Sequence, residues 1–116
     1  MALAQSAPLD GPAALLAIPS TLPGRATVWL RGEQDLSTAT AVAEDMARAI
    51  AAGDGAVVVD LSRVTFMDAS TVSTIVRARE FLRQHDRSLT LRAPSTCAGR
   101  IIALCDLTQL VDARPG

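Results

Sequence analysis

The chain has 116 residues and contains no lysine, two cysteines, one histidine and three aromatic side chains, Trp29, Phe66 and Phe81. Each shortage closes off a class of function. Without lysine there is no phosphate-binding lysine on a nucleotide loop and no Schiff-base nucleophile, and no Gly-rich loop of that kind occurs either. Two cysteines and one histidine are too few for a clustered zinc site or a disulfide framework, so no metal or cofactor is expected. Three aromatics make a stacking platform for bases or sugars a poor expectation. Charge of one sign is lacking too: 11 basic and 12 acidic residues leave a net −1, which argues against direct nucleic-acid binding. No run approaches the roughly 20 apolar residues of a membrane span. Met1 to Ser20 has no basic start and is broken by Pro8, Asp10 and Pro12, unlike a secretory signal. The expectation is a cytoplasmic protein.

What is present suits a folded domain: 49% of residues are apolar and 20% charged. Residues 1–13 read as a flexible leader, 14–113 as a single domain and 114–116 as a tail. Leu15 to Ile18 reads as a short edge strand, followed by a turn through Pro19 and Pro23-Gly24. Arg25 to Arg31 reads as a strand with Ala26, Val28 and Leu30 on one face and Thr27, Trp29 and Arg31 on the other. Asp35 to Ala52 reads as a helix, with Val42, Met46, Ala49 and Ile50 at helical spacing and Gly53 beyond its end.

The Val run of Ala56 to Leu61 suits a central strand buried on both faces. After Ser62 to Asp68, a second helix presents Val72, Ile75, Val76 and Leu82 inward and Arg77, Arg83 and Gln84 outward. Ser88 to Arg92 alternates as a strand. Pro94-Ser95 opens a third helix with Cys97, Ile101, Leu104 and Cys105 on one face, and Leu107 to Val111 forms a closing turn. The order β-β-α-β-α-β-α predicts an α/β fold: a small mixed sheet of four or five strands with helices packed against it. In such sheets the working surface lies where strands end and helices begin.

Two segments meet that description, Arg31-Gly-Glu-Gln-Asp35 and Phe66-Met-Asp-Ala-Ser-Thr71. Asp35 and Asp68 stand at helix starts, where a carboxylate caps free N–H groups. Ser70, Thr71, Ser73 and Thr74 crowd the second start; they are caps or surface hydroxyls, or phosphoacceptors. Cys97 and Cys105 read as buried thiols. His85 reads as a residue of the helix end, and Arg77, Arg79, Arg83 and Arg87 as a solvated face. Trp29, opposite the core stripe, is a candidate partner contact. No nucleophile-base pair or metal spacing stands out, so no catalytic residue is assigned. A binding module is expected rather than an enzyme.

Three segments carry a family resemblance: Gly32-Glu-Gln-Asp-Leu-Ser-Thr-Ala39, Val57-Val-Val-Asp-Leu-Ser-Arg-Val-Thr-Phe-Met-Asp-Ala-Ser70 and Leu89-Thr-Leu-Arg-Ala-Pro-Ser95. With Ile101 to Leu110 they resemble a STAS domain, particularly the bacterial antagonists of anti-sigma factors, from about Leu15 to Asp112. The resemblance implies partner switching. The unmodified antagonist binds a serine-protein kinase that doubles as an anti-sigma factor, so the sigma factor is released for transcription. Phosphorylation at the start of the second helix ends the binding, and a phosphatase resets it. It implies a partner-binding surface of Asp35, Asp68, Ala69, Ser70, Thr71 and Ser73.

The chain departs from the family pattern at the acceptor itself, which is Ala69. Ser70 follows it, Thr71 and Ser73 replace family glycines, and Gln109 replaces another. A β-branched Thr71 predicts a bulkier docking surface. Three readings stay open: the phosphate has moved to Ser70 or Thr71, the protein binds without phosphorylation, or the surface serves a different partner. A further family role is a cytoplasmic STAS subunit docking on the ATPase of a lipid-transporting ABC transporter.

Overall fold

Parallel neighbours in a sheet need crossovers long enough to hold a helix, whereas an antiparallel pair needs only a turn. Both connections occur in the computed structural model of the chain, which describes residues 17–19 and 25–112. The expected leader, the tail and the first two residues of the expected edge strand lie outside the described residues. Four strands, β1 (Ala17–Pro19), β2 (Ala26–Gln34), β3 (Val57–Met67) and β4 (Leu89–Arg92), lie side by side in chain order. β1 runs antiparallel to β2, while β2, β3 and β4 are parallel. Helix α1 (Ala39–Ala51) connects β2 to β3, α2 (Ala69–Arg83) connects β3 to β4, and α3 (Thr96–Leu104) follows β4. The predicted element order and mixed sheet are those observed.

One core gathers the inward face of the sheet and the helices against it: Val28, Leu30, Val57, Val59 and Leu61 from the strands, Met46 from α1, Ile75 and Leu82 from α2 and Ile102 from α3. On the second face of the sheet, Thr27, Val58 and Asp60 are buried as well. The Val run therefore is a strand covered on both sides, as its sequence predicted.

Five expectations need correction. The central strand does not stop at Leu61 but continues to Met67. Register shifts against β2, between Trp29 and Arg31 and between Gly32 and Glu33, are β-bulges that reset the alternation and return Val64 and Met67 to the core. Gly32 sits between them with φ +72°, a conformation that costs glycine little. The broken alternation over Ser62 to Phe66 thus reads as loop but folds as bulged strand. In α2, Val76 lies on the surface, and Thr71, Thr74 and Ala78 are buried instead. Thr74 can be, because its hydroxyl donates to the Ser70 carbonyl at 3.1 Å.

In α3 the inward face is turned by one position. Ala98 and Ile102 are buried, Ile101 is half-buried and Leu104 is 81% exposed. Cys97 is half-buried and Cys105 exposed, so neither is a fully buried thiol. The helix start itself is where the sequence places it: the Ser95 hydroxyl accepts from the Ala98 amide at 3.2 Å, and Ala98 and Ile102 are the buried side chains. The arginine face is also less uniform than expected. Arg87 donates to the Gly55 and Ile50 carbonyls at 2.9 and 3.0 Å, tying the end of α1 to the turn before β4.

Candidate functional site at two capped helix starts

Gln34 and Met67 are paired in register at the ends of β2 and β3, and the Asp68 amide donates to the Gln34 carbonyl at 3.1 Å. Asp35 and Asp68, the residues that follow the two strands, are therefore neighbours at the ends of adjacent strands. Parallel register puts the two turns together; neither segment does so alone.

Each aspartate caps the turn immediately after it. Asp35 Oδ1 accepts from the Ser37 amide at 2.9 Å and the Ser37 hydroxyl at 2.6 Å, heading a 3-10 turn over Leu36–Thr38. Thr38 reaches back to accept from the Asp35 amide at 3.0 Å, completing a capping box. Asp68 Oδ1 accepts from the Ser70 and Thr71 amides at 3.0 and 3.4 Å and from the Ser70 hydroxyl at 2.5 Å. The Ser70 hydroxyl, the two amides and the Leu36 amide of the first turn hold the Asp68 carboxyl below its usual value. The two turns are joined through the backbone bond from Asp68 to Gln34. The capping roles predicted for both aspartates are those observed.

The four hydroxyls after Asp68 are not equivalent. Thr71 is 0% exposed, with its Oγ1 buried and without a hydrogen-bond partner. It contributes no bulk to the surface, contrary to the expectation for a β-branched side chain there. A buried hydroxyl is also out of reach of a modifying enzyme. Thr74 is buried as well. Ala69 and Ser73 are exposed and Ser70 is half-buried. Beside them an open groove of about 570 Å³ runs between the 3-10 turn and α2, lined by Leu36, Ala39, Ser70, Ser73, Val76 and Arg77. Leu36 is 76% exposed there. The surface offers apolar contact and a hydroxyl; among the described residues no group of three or more His, Cys, Asp or Glu is placed to hold a metal ion. No helix among them is long and apolar enough to cross a membrane.

Sequence reasoning missed a second polar cluster, on the second face of the sheet. Asp60 Oδ2 accepts from Arg92 Nε at 2.9 Å, and the Arg92 guanidinium lies 4.8 Å from the centre of the Trp29 ring. Asp60 Oδ1 takes the Ser62 amide and hydroxyl at 3.0 and 2.6 Å. Burial pushes this carboxyl up, but Ser62 and Arg92 together bring it below its usual value. A signal existed: Asp-Leu-Ser occurs at both 35–37 and 60–62.

A family model described as the Mlab-type STAS domain matches residues 20–112. The chain belongs to the STAS domain family. Solved structures agree on the fold. The anti-sigma factor antagonist SpoIIAA in its unphosphorylated form shares 22% identity over 80% of this chain and 82% of its own, with a TM-score of 0.66. An anti-sigma factor antagonist from Mycobacterium paratuberculosis shares 23% identity over 91% of this chain and 92% of its own, with a TM-score of 0.72. No significant match is found among curated protein sequences. The capped helix starts thus stand on a STAS scaffold.

Proposed function

We propose that this STAS domain is a regulatory binding module of the anti-sigma factor antagonist kind, acting in the cytoplasm. Its partner is an anti-sigma factor that is also a serine-protein kinase, and their association frees a sigma factor. The binding surface is Asp35, Asp68, Ala69, Ser70 and Ser73, and the domain is a ligand and substrate rather than a catalyst. The observation that carries this reading is the pair of adjacent, Asp-capped helix starts beside an open groove at the strand ends. Both turns are rigidly held, so a partner meets a preformed surface at little ordering cost.

Ser70 is the acceptor in this reading, since Ala69 has no hydroxyl and Thr71 is buried. Phosphoryl transfer from the kinase's ATP forms the Ser70 Oγ–P bond as the bond to the ADP oxygen breaks, and the hydroxyl proton is released. It adds about −1.5 to −2 charges beside Asp68. The helix start tolerates that charge, whereas a partner fitted to a neutral hydroxyl does not. A phosphatase then restores the binding form. The test is phosphate incorporation by the cognate kinase: Ser70→Ala abolishes it, and undiminished labelling sinks the assignment. Ser70→Asp weakens kinase binding with an unchanged circular dichroism spectrum; unchanged affinity removes this surface from the interface.

A second reading is a STAS subunit docked on the ATPase of a lipid-transporting ABC transporter. It is favoured by Ala69, which leaves the family acceptor position without a hydroxyl, and by the Mlab-type family model. Co-purification with a transporter ATPase and permease, and no kinase, would replace the first reading by this one.

A further inference from the structure

Arg31 and Arg63 stand directly opposite each other on β2 and β3. Like charges in that position repel and destabilise a sheet. Both side chains are exposed, and the ion pairs among the described residues are Arg48–Asp45, Arg83–Glu80 and Arg92–Asp60, leaving these two without an acidic partner. The bulge between Trp29 and Arg31 creates the arrangement. It inserts one extra residue in β3, so Arg63 opposes Arg31 and both lie on the second face of the sheet, beyond Trp29 and Asp60. Trp29 is 38% exposed, its ring braced by Arg92, which Asp60 holds in place.

We infer that this face is a docking surface for an acidic protein segment, with a carboxylate bridging Arg31 and Arg63 and a neighbouring apolar side chain on Trp29. A carboxylate between the two guanidiniums turns their repulsion into paired charge-assisted hydrogen bonds. Arginine and tryptophan are the residue types that dominate binding energy at protein interfaces. Two unpaired arginines on a chain of net charge −1 do not form the extended basic track that a nucleic-acid backbone requires. The surface lies on the sheet face away from the core, apart from the Asp35–Asp68 site at the strand ends, so the two sites fail or stand independently.

Trp29 is the only tryptophan, so its fluorescence reports on this face directly. The probe is a short peptide of alternating Glu and Leu, titrated at low salt against the full chain. The expected result is saturable movement of the Trp29 emission, weakening as salt rises. The double variant Arg31→Gln, Arg63→Gln should bind at least about tenfold more weakly, an effect of the size expected for losing charge-assisted contacts. Its thermal midpoint should be equal or higher, because the repulsion is gone. A peptide with Gln for Glu should not bind. Unchanged affinity in the double variant, equal binding of the Gln peptide, or a response only to single-stranded DNA or anionic vesicles would each overturn the inference.

Discussion

Asp60 and Asp68 begin the same local device in two different places. Each is followed two positions later by a serine, and in each the Oδ1 atom accepts both that serine's amide and its hydroxyl. At Asp68 the device sits at a strand end, where the chain is free to turn, and it starts a 15-residue helix. At Asp60 it sits in the middle of β3, hydrogen-bonded to strands on both sides, and it forms a bulge instead. There the second carboxylate oxygen is taken by Arg92, 32 residues away in sequence. One Asx motif therefore starts a helix in one context and clamps neighbouring strands in the other. What separates them is the set of neighbours, not the motif.

The largest test of that contrast is to remove the two carboxylates in turn. Asp60→Ala leaves Arg92 unpaired beside the sheet and should lower stability by about 3 kcal/mol, read from the urea midpoint. Asp68→Ala should lower it less, because water can satisfy an exposed helix start. It should instead weaken partner binding, which Asp60→Ala in its folded fraction should not. Equal stability losses would erase the distinction between a strand clamp and an exposed helix cap.

Acid titration sharpens the contrast by adding a third aspartate. Asp60 has its carboxyl held below the ordinary 3.8, so it stabilises the fold above that pH, and the contribution is lost as pH falls through its depressed value. Asp45 is fully buried on α1, and the residue two positions on is Ala47, which has no hydroxyl. Burial raises its carboxyl, and the ion pair with Arg48 only partly opposes this. Its charged form is disfavoured in the fold, so its contribution is unfavourable above the raised value and improves as pH falls toward 3.8. Asp45→Asn should flatten stability against pH in that window, while Asp60→Asn should flatten it below 3.8. Urea midpoints across the acid range test both signs.

The smallest effects are expected at the serines. Ser62→Ala removes one hydroxyl bond to Asp60 and should cost at most about 1 kcal/mol. Ser70→Ala should change stability similarly little while abolishing phosphate uptake. A large stability loss at Ser70 would make it structural and weaken the case for an acceptor there.

Much of the fold was legible because local chemistry and tertiary context agree. Alternation in Ala26 to Leu30, the Val run of Val57 to Val59 and the helical spacing of Val42, Met46 and Ala49 each bury the residues their period selects. Of the site, Asp35 and Asp68 as caps were legible from position alone, since an aspartate before a helix has few other uses. The bulged half of β3, the rotation of α3 by one position and the burial of Thr71 were not. Each depends on which neighbour fills a space rather than on the residue's own preference.

Element order, the two capped starts and the Ala69 that stands where a hydroxyl is expected are all written in the sequence, because caps, periods and residue identities act within a few positions of the chain. Tertiary structure was needed to bring the two starts side by side, to turn Thr71 inward and to set Arg31 opposite Arg63. The first and the last of these come from parallel strand register and the bulges, and register is set by pairing between segments about 30 residues apart, which no local pattern specifies.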